Sequence, residues 1–385
     1  MPDREPPRLS DIIDDQSSSI LKPSTRRRFL ANASTLSLAI PGVGAALAAC
    51  SPGDNAPPDG GTTGQTATTP SGGGSKVINS NSKLDTALLR DRHHAGTSIT
   101  GADAREVEFH RFAPELPPLV EGGVKLHWHA SEARIRISED TVVAAWTFEG
   151  NMPGPIVHTR VGDTVEFTLT NDVDVPHSMD FHAAQIDPKV AFRSVPKGES
   201  VTFRFTPKWA GAFMYHCGTA PVLMHIGSGM YGAIIVSPRE GLPPAKEFVL
   251  IQSEMYLAEA ASDVRAFDYQ KMLNTMPDFV AFNGRPNQYI KEPIHVKVGD
   301  RVRFWLVNAG PTHPCNFHVV GEQFDTMYLG SPPLNPIRGV QTWNVAPGGG
   351  MCFELLCDVA GEFPFVNHGF GHGQKGAIGF LVVDR

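Results

Sequence analysis

The sequence has little cysteine: five residues in 385, of which four lie after Cys50 at irregular spacing, namely Cys217, Cys315, Cys352 and Cys357. So few cysteines exclude a dense disulfide scaffold, although an oxidising compartment would permit one bridge. Long apolar runs are also missing, since no stretch after the first fifty residues reaches the roughly 18 continuous apolar residues of a membrane helix. At least one cysteine therefore needs another role.

The chain also lacks a large excess of charge of either sign. The formal net charge is −7, and lysine and arginine are scattered after the first thirty residues, so the chain has no basic stripe. We therefore predict no nucleic-acid partner, and expect small ions or proteins instead. The length and the 41% apolar content fit two globular domains of average size.

The first fifty residues predict export. The segment TRRRFL at 25–30 is a twin-arginine pattern, and a run of small apolar residues follows it. This arrangement resembles a Tat signal, which passes folded proteins. The run ends in LAAC, which resembles a bacterial lipobox, so we predict residues 1–50 as a lipoprotein signal ending at a lipidated Cys50. The alternative is an ordinary or uncleaved signal with a chance cysteine.

Residues 51–104 follow as a predicted flexible tether and N-terminal arm, because their first part is Gly, Ser, Thr and Pro with hardly an apolar side chain. The mature chain is therefore expected at the periplasmic face of a bacterial membrane, held there by its lipid. Ser51 resembles outer-membrane sorting in bacteria with two membranes.

Short alternating runs predict an all-β fold from about residue 105 onward. Val165, Phe167 and Leu169 alternate with threonine and glutamate, and 201–205 and 302–306 repeat the pattern. Such spacing is typical of half-buried strands in a β-sandwich. Helical periodicity is scarce outside a stretch at about 256–275.

An internal repeat predicts two copies of one β-sandwich, at 105–242 and 243–385. FEGNMPGPIVHTRVGDTVEFTLTN at 148–171 is echoed by FNGRPNQYIKEPIHVKVGDRVRFWLVN at 282–308. Three later echoes keep the same order: DFH (180–182) with NFH (316–318), FMYHC (213–217) with FVNHG (365–369), and GAI (232–234) with GAI (376–378).

The first repeat carries four soft or borderline metal ligands in one order: His177, Cys217, His225 and Met230. One thiolate, two imidazoles and a weak axial thioether are the ligands of a blue-copper electron-transfer site. Each residue alone has an ordinary structural interpretation, since a methionine usually packs and a lone histidine is usually a surface or core residue. Four of them in this order on a predicted sandwich favour copper.

The second repeat has no such set, because Gly369 and Gln374 stand where the first repeat has its cysteine and methionine. Histidines nevertheless persist at two other matching positions, which indicates a second centre. His182, His216 and His368 are neutral nitrogen ligands without a thiolate, and such a set suits a metal with an open position for substrate.

His216 directly precedes Cys217. Because neighbouring strand residues point to opposite faces, His216 can face one metal while Cys217 holds another, and a short covalent path then joins them. The alternative is that His216 only shields the blue site.

The motif HSMDFHAA at 177–184, the YHC element at 215–217 and the Cys-x7-His-x4-Met ending resemble the two-domain copper-containing nitrite reductases over about 105–385. The resemblance implies two tandem cupredoxin-like Greek-key domains and the dissimilatory reduction of nitrite to nitric oxide in denitrification. It implies one copper of each kind per subunit: type 1 at His177, Cys217, His225 and Met230, and type 2 at His182, His216 and His368.

The family also assembles as a homotrimer in which the last histidine of the type 2 site comes from the neighbouring subunit, and it takes electrons from a cupredoxin or a cytochrome c. Asp180 and His318 match its proton-delivering pair, since nitrite needs two protons to give nitric oxide and water. Val320 stands in the substrate pocket where many members carry isoleucine, which leaves a roomier pocket.

Two other functions remain open. A laccase-like oxidase would need several H-x-H pairs and an H-C-H element, but the chain has one such pair, His127 and His129, and Gly218 follows Cys217. A non-catalytic blue-copper carrier would leave the second histidine set as a coincidence.

Several metal-binding residue types receive structural interpretations. His127 and His129 are expected on the surface, and Cys352 and Cys357 in the core, on opposite faces of a strand. His313 mirrors His177 in the repeat and could, with Cys315, mark a vestigial metal site, although a structural role is favoured. His372 is interpreted as a loop residue or as support for His368.

Overall fold

The computed structural model describes residues 107–259 and 263–385, which form twenty β-strands and five short helices. The predicted all-β fold is confirmed. The signal and Cys50 lie outside the described residues, as does the tether, and no described helix is long and apolar enough to cross a membrane.

The elements of the first half are β1 (Val124–Arg136), β2 (Val142–Phe148), β3 (Val157–Arg160), β4 (Val165–Asn171), β5 (Asp180–Phe181), α1 (Pro188–Ala191), β6 (Ser200–Phe205), β7 (Gly211–His216), α2 (Val222–Gly227) and β8 (Tyr231–Ser237). Those of the second half are β9 (Lys246–Met255), β10 (Val264–Arg265), α3 (Tyr269–Leu273), β11 (Phe279–Phe282), α4 (Gln288–Lys291), β12 (Glu292–Lys297), β13 (Arg301–Gly310), β14 (Cys315–Val319), β15 (Thr326–Tyr328), β16 (Pro336–Ile337), β17 (Thr342–Val345), β18 (Gly350–Leu356), β19 (Gly361–Asn367), α5 (Phe370–Gly373) and β20 (Ile378–Asp384).

The first sandwich pairs a sheet of order β10-β2-β1-β4-β6 with a sheet of order β3-β8-β7-β5. Val165, Phe167 and Leu169 of β4 are buried while the residues between them are partly exposed, so the predicted alternation is confirmed. These side chains share a core with Phe181 and Tyr215 of the facing sheet. Apolar burial of this kind is the main stabilising term of a sandwich.

The second sandwich pairs sheets of order β11-β9-β13-β18-β15-β16 and β12-β20-β19-β14-β17, with Phe304, Phe317 and Phe365 in its core. The domain boundary predicted at 242 falls between β8 and β9. The prediction of a helix at about 256–275 is wrong for most of that stretch, because the described residues there form β10 and the five-residue α3.

A third apolar layer lies between the two sandwiches. Met214 of β7 and Ile235 of β8 pack there against Val249 of β9 and Trp305 of β13. The close approach requires glycine at Gly350, since a Cβ there would lie 2.0 Å from the carbonyl oxygen of Ala212. The sheet that contains β7 is therefore buried on both faces.

Candidate metal centres

Three donor atoms meet at one end of the first sandwich. His177 comes from the loop before β5, Cys217 directly follows β7, and His225 lies on α2. The Cys217 Sγ lies 3.8 Å from the His177 Nδ1 and 3.2 Å from the His225 Nδ1, and the two Nδ1 atoms are 3.1 Å apart. All three residues are buried, so the structure brings together three of the four ligands predicted for the blue-copper site.

Met230, the fourth predicted ligand, is joined to this group through the backbone. The Cys217 N–H donates to the Met230 carbonyl at 3.1 Å, and the Met230 N–H donates to the His225 carbonyl at 3.2 Å. The preceding Gly229 has a φ of +120°, and a Cβ there would lie 2.8 Å from the Trp146 carbonyl oxygen. Only glycine therefore allows this turn to reach Met230, which is fully buried.

Burial and hydrogen bonds act on the protonation of these donor groups. The Ser178 N–H donates to the Cys217 Sγ at 3.3 Å. Burial raises the pKa of the Cys217 thiol, although hydrogen bonds from Ser178 and Thr219 oppose that rise. Burial, and then His225, lower the pKa of His177 to about 3, so that its imidazole is neutral and able to bind a metal. A buried set of thiolate and imidazole donors fits copper.

The Trp146 ring packs against both histidines, with ring centroids 5.4 Å from His177 and 4.9 Å from His225. It therefore restricts the orientation of both imidazoles.

A second group forms on the other face of β7. The Nε2 atoms of His182 and His216 are 3.1 Å apart. His182 donates its Nδ1–H to the Gly348 carbonyl at 3.0 Å, and His216 donates its Nδ1–H to the Cys217 carbonyl at 2.9 Å. Because both Nδ1 atoms are used as donors, both Nε2 lone pairs remain for a shared metal, which is the usual role of carbonyls behind metal-binding histidines.

Asp180 completes this group. It pairs directly across the sheet with His216, and its Oδ2 lies 3.9 Å from the His216 Nε2. Burial lowers the pKa of His216, and Asp180 works against that effect. The Asp180 carboxylate is only partly buried, so water can reach it beside these nitrogens.

His318 and His368 lie together elsewhere. Their ring centroids are 5.4 Å apart, with His318 on β14 and His368 directly after the adjacent strand β19. The His318 Nδ1–H donates to the Gln341 carbonyl at 2.6 Å. Among the described residues of a single chain, neither His318 nor His368 belongs to the metal-binding group of Asp180, His182 and His216. His318 lines an open pocket with Glu322 and Gln323 among others, and Val320 beside it is 38% exposed.

The structure agrees in part with the predicted surface, core and loop positions of the remaining histidines and cysteines. His127 and His129 are exposed, and Cys352 and Cys357 are buried in different apolar clusters, as predicted. Cys315 is buried in the core of the second sandwich and has no role as a ligand in the described groups. His372 lies on α5, where its ring contacts that of His313 rather than that of His368.

Three supporting residues were not predicted from the sequence: Ser178, Gly348 and Trp146. Ser178 could have been predicted, since it lies inside the HSMDFH motif between two of the metal-binding histidines. Gly348 and Trp146 had no such signal, because each lies far along the chain from the histidine that it contacts.

A buried cysteine with two imidazoles on a β-sandwich is typical of a cupredoxin-type copper protein. In agreement, residues 129–241 match the family model for multicopper oxidases. The copper-containing nitrite reductase of Neisseria meningitidis serogroup A is 36% identical over 286 residues, which cover 71% of this chain and 73% of that protein. The enzyme of the same name from Cereibacter sphaeroides is 32% identical over 281 residues, 66% of this chain and 74% of that one. The chain therefore belongs to the copper-containing nitrite reductase family.

Solved structures agree. The copper nitrite reductase from Nitrosomonas europaea superposes with a TM-score of 0.64 at 36% identity and covers 68% of this chain and 94% of its own. The Cu-containing nitrite reductase from Thermus scotoductus gives 0.61 at 30% identity, with 68% of this chain and 62% of that one. The predicted cupredoxin-like fold and the suspected family are confirmed.

Proposed function

We propose that this chain reduces nitrite to nitric oxide: nitrite takes up one electron and two protons and releases nitric oxide and water. The observation that carries the proposal is the placement of His216 and Cys217. These consecutive residues belong to two different donor groups on opposite faces of β7. An electron carrier needs only the Cys217 group, whereas an enzyme that acts on a small anion needs both.

In this proposal His177, Cys217, His225 and Met230 hold a type 1 copper, and His182, His216 and His368 hold a type 2 copper. When bound, the first metal would pass single electrons and the second would bind and polarise nitrite. The peptide between Cys217 and His216 provides the short covalent path between the two groups, and the Cys217 carbonyl also orients the His216 ring.

We propose that the enzyme is a homotrimer and that His368 reaches the His182 and His216 pair of a neighbouring subunit. Two observations support this assignment. Among the described residues of its own chain, the pair has only Asp180 as an additional metal-binding side chain, and His368 is exposed directly after β19, beside His318.

Asp180 and His318 would then lie on either side of bound nitrite and deliver the protons as the N–O bond breaks. Asp180 is close to the His216 Nε2, and the Gln341 carbonyl holds the His318 ring so that its Nε2 is left for the substrate. Val320, exposed two residues beyond His318, would border the same pocket and set its width.

The remaining assignments rest on the sequence. We propose export by a Tat signal, a lipid anchor at Cys50, a periplasmic position at a bacterial membrane, and domains at 105–242 and 243–385. A cupredoxin or a cytochrome c would supply the electrons.

The test uses the full-length, copper-loaded protein with a reduced dye as donor and an electrode for nitric oxide. We expect His368→Ala and Asp180→Asn to lose nitric oxide production while the absorbance of the thiolate-bound copper remains. His295→Ala removes an exposed histidine of the second sandwich and serves as the control. A blue wild-type protein that makes no nitric oxide would leave only the carrier function.

The shared site has its own test. A subunit with His182→Ala and a subunit with His368→Ala should each be inactive alone. Co-expressed, they can form interfaces at which an intact His182 meets an intact His368, so part of the activity should return. If each site lay within one subunit, the mixture would stay inactive.

A further inference from the structure

The second sandwich keeps part of the geometry of the Cys217 centre. His313 and His177 each lie five positions before the histidine of their NFH or DFH motif. An asparagine at or near the end of the strand before each loop donates to that loop: Asn171, the last residue of β4, donates to the Val175 carbonyl at 2.9 Å, and Asn308, two residues before the end of β13, donates to the His313 carbonyl at 2.9 Å. His313 therefore occupies the position in the second sandwich that His177 occupies in the first.

A second imidazole joins it from the matching helix. α5 follows β19 as α2 follows β7, and it carries His372 as α2 carries His225. The ring centroids of His313 and His372 are 4.7 Å apart, comparable with the 5.0 Å between His177 and His225.

The ring nitrogens are arranged for binding. His313 donates its Nε2–H to the Thr275 carbonyl at 3.0 Å, which leaves the Nδ1 lone pair free. The His372 Nδ1 faces the position of the lost thiolate, because a Cβ placed on Gly369 would lie 3.4 Å from it. Asn367 is also near, with its Nδ2 3.3 Å from the His372 Nδ1, but that amide group also donates to the Gln252 Oε1 and to the Pro314 carbonyl.

The surrounding charge is mixed. The buried Glu254 carboxyl group accepts the His313 backbone N–H at 2.6 Å, and burial raises its pKa while His313 acts in the opposite direction. Lys375 is the opposing cation, and its ammonium donates to the Pro277 carbonyl. Burial, then His313 and Lys375, lower the pKa of His372, so its imidazole is neutral at pH 7 and available as a ligand.

We propose that His313 and His372 form a third metal-binding site, which takes one borderline divalent transition-metal ion such as Zn2+ or Cu2+. Imidazole nitrogens suit these ions, and water can complete the coordination because both side chains are only partly buried. Gly369 removes the thiolate, so this site has no blue colour and no role in electron transfer. The proposal does not depend on nitrite reduction.

The probe is Zn2+, titrated into the full-length protein whose copper centres are already loaded. Zinc has no redox chemistry, so the absorbance of the copper centres reports that they stay intact. We expect the wild type to bind one Zn2+ more per chain than His313→Gln or His372→Gln, each of which should lose that site. His295→Gln, an exposed histidine of the same sandwich, should bind as the wild type does.

A second measurement locates the ion without substitutions. Diethyl pyrocarbonate modifies accessible histidines, and mass spectrometry identifies them. Zn2+ should protect His313 and His372 and leave His295 reactive. The proposal is wrong if both Gln variants keep the full zinc stoichiometry, or if zinc protects only the surface pair His127 and His129.

Discussion

Ser178→Ala should destabilise the loop that carries Cys217. The Ser178 Oγ is buried and accepts the Gly218 N–H at 3.0 Å and the Thr219 hydroxyl at 3.2 Å. Thr219 keeps a partner after the substitution, because the Ser194 Oγ lies 3.0 Å away. The Gly218 N–H has no other acceptor among the described residues, so alanine at 178 leaves a backbone donor unsatisfied.

An unsatisfied buried donor costs about 1–3 kcal/mol, and because the Gly218 N–H is only partly buried we expect the lower end, about 1 kcal/mol. With an m-value of roughly 3 kcal/mol/M, that loss corresponds to a decrease of about 0.3 M in the urea midpoint at unchanged slope. The assay is urea unfolding of the copper-free protein, followed by tryptophan fluorescence. The loaded protein should also show a shifted thiolate-copper band, since the hydroxyl lies 3.9 Å from the Cys217 Sγ.

Ser194→Ala is the matched control. It removes the other partner of Thr219, whose hydroxyl then keeps its bond to Ser178, so the midpoint should change little. Equal midpoints for the two variants would refute the reasoning, because the cost would then not come from the Gly218 N–H. An unchanged band in Ser178→Ala would show that the hydroxyl does not affect the thiolate.

Three further predictions follow from particular residues. Gly229→Ala should lower the free energy of unfolding by about 1–3 kcal/mol more than Gly241→Ala, because a Cβ at Gly229 meets a carbonyl oxygen whereas one at Gly241 meets no atom within 4 Å. Urea unfolding measures both losses, and equal losses would contradict the steric argument. In copper-free protein at pH 8, a thiol reagent should label none of Cys217, Cys315, Cys352 and Cys357 before unfolding, as peptide mass spectrometry can show, because all four are buried. Burial lowers the pKa of His158. The contribution of His158 to stability is therefore present above its unfolded-state pKa and is lost as the pH falls from that pKa toward the folded-state pKa. The difference in free energy of unfolding between wild type and His158→Gln should shrink from pH 8 to pH 5, and a difference independent of pH would contradict this linkage.

Local patterns in the sequence predicted the strands and most of the donor residues. The alternation at Val165, Phe167 and Leu169 works because a half-buried strand separates apolar from polar residues. His216 and Cys217 could be assigned to different centres because the pleat alone decides which way each points.

Other features have no local signal. The Gly348 carbonyl that orients His182 lies 166 residues away, so only the packing of the two sandwiches brings it there. The strands of the layer between the sandwiches show continuous apolar runs rather than alternation, such as AIIV at 233–236. Such runs indicate burial on both faces but do not identify the partner.

The double burial of the sheet containing β7 explains why two centres can lie so close together. Tyr215 and Cys217 point into the core of the first sandwich, whereas Ala212 and Met214 point toward the second, and His216 follows their alternation. The first sandwich alone therefore suffices for the Cys217 centre, whose donors all come from its own loops and helix. The His182 and His216 centre needs the second sandwich as well, because its loop supplies the carbonyl that leaves the His182 Nε2 free to bind. The two sandwiches together thus set the geometry of a histidine pair that the first sandwich alone does not fix.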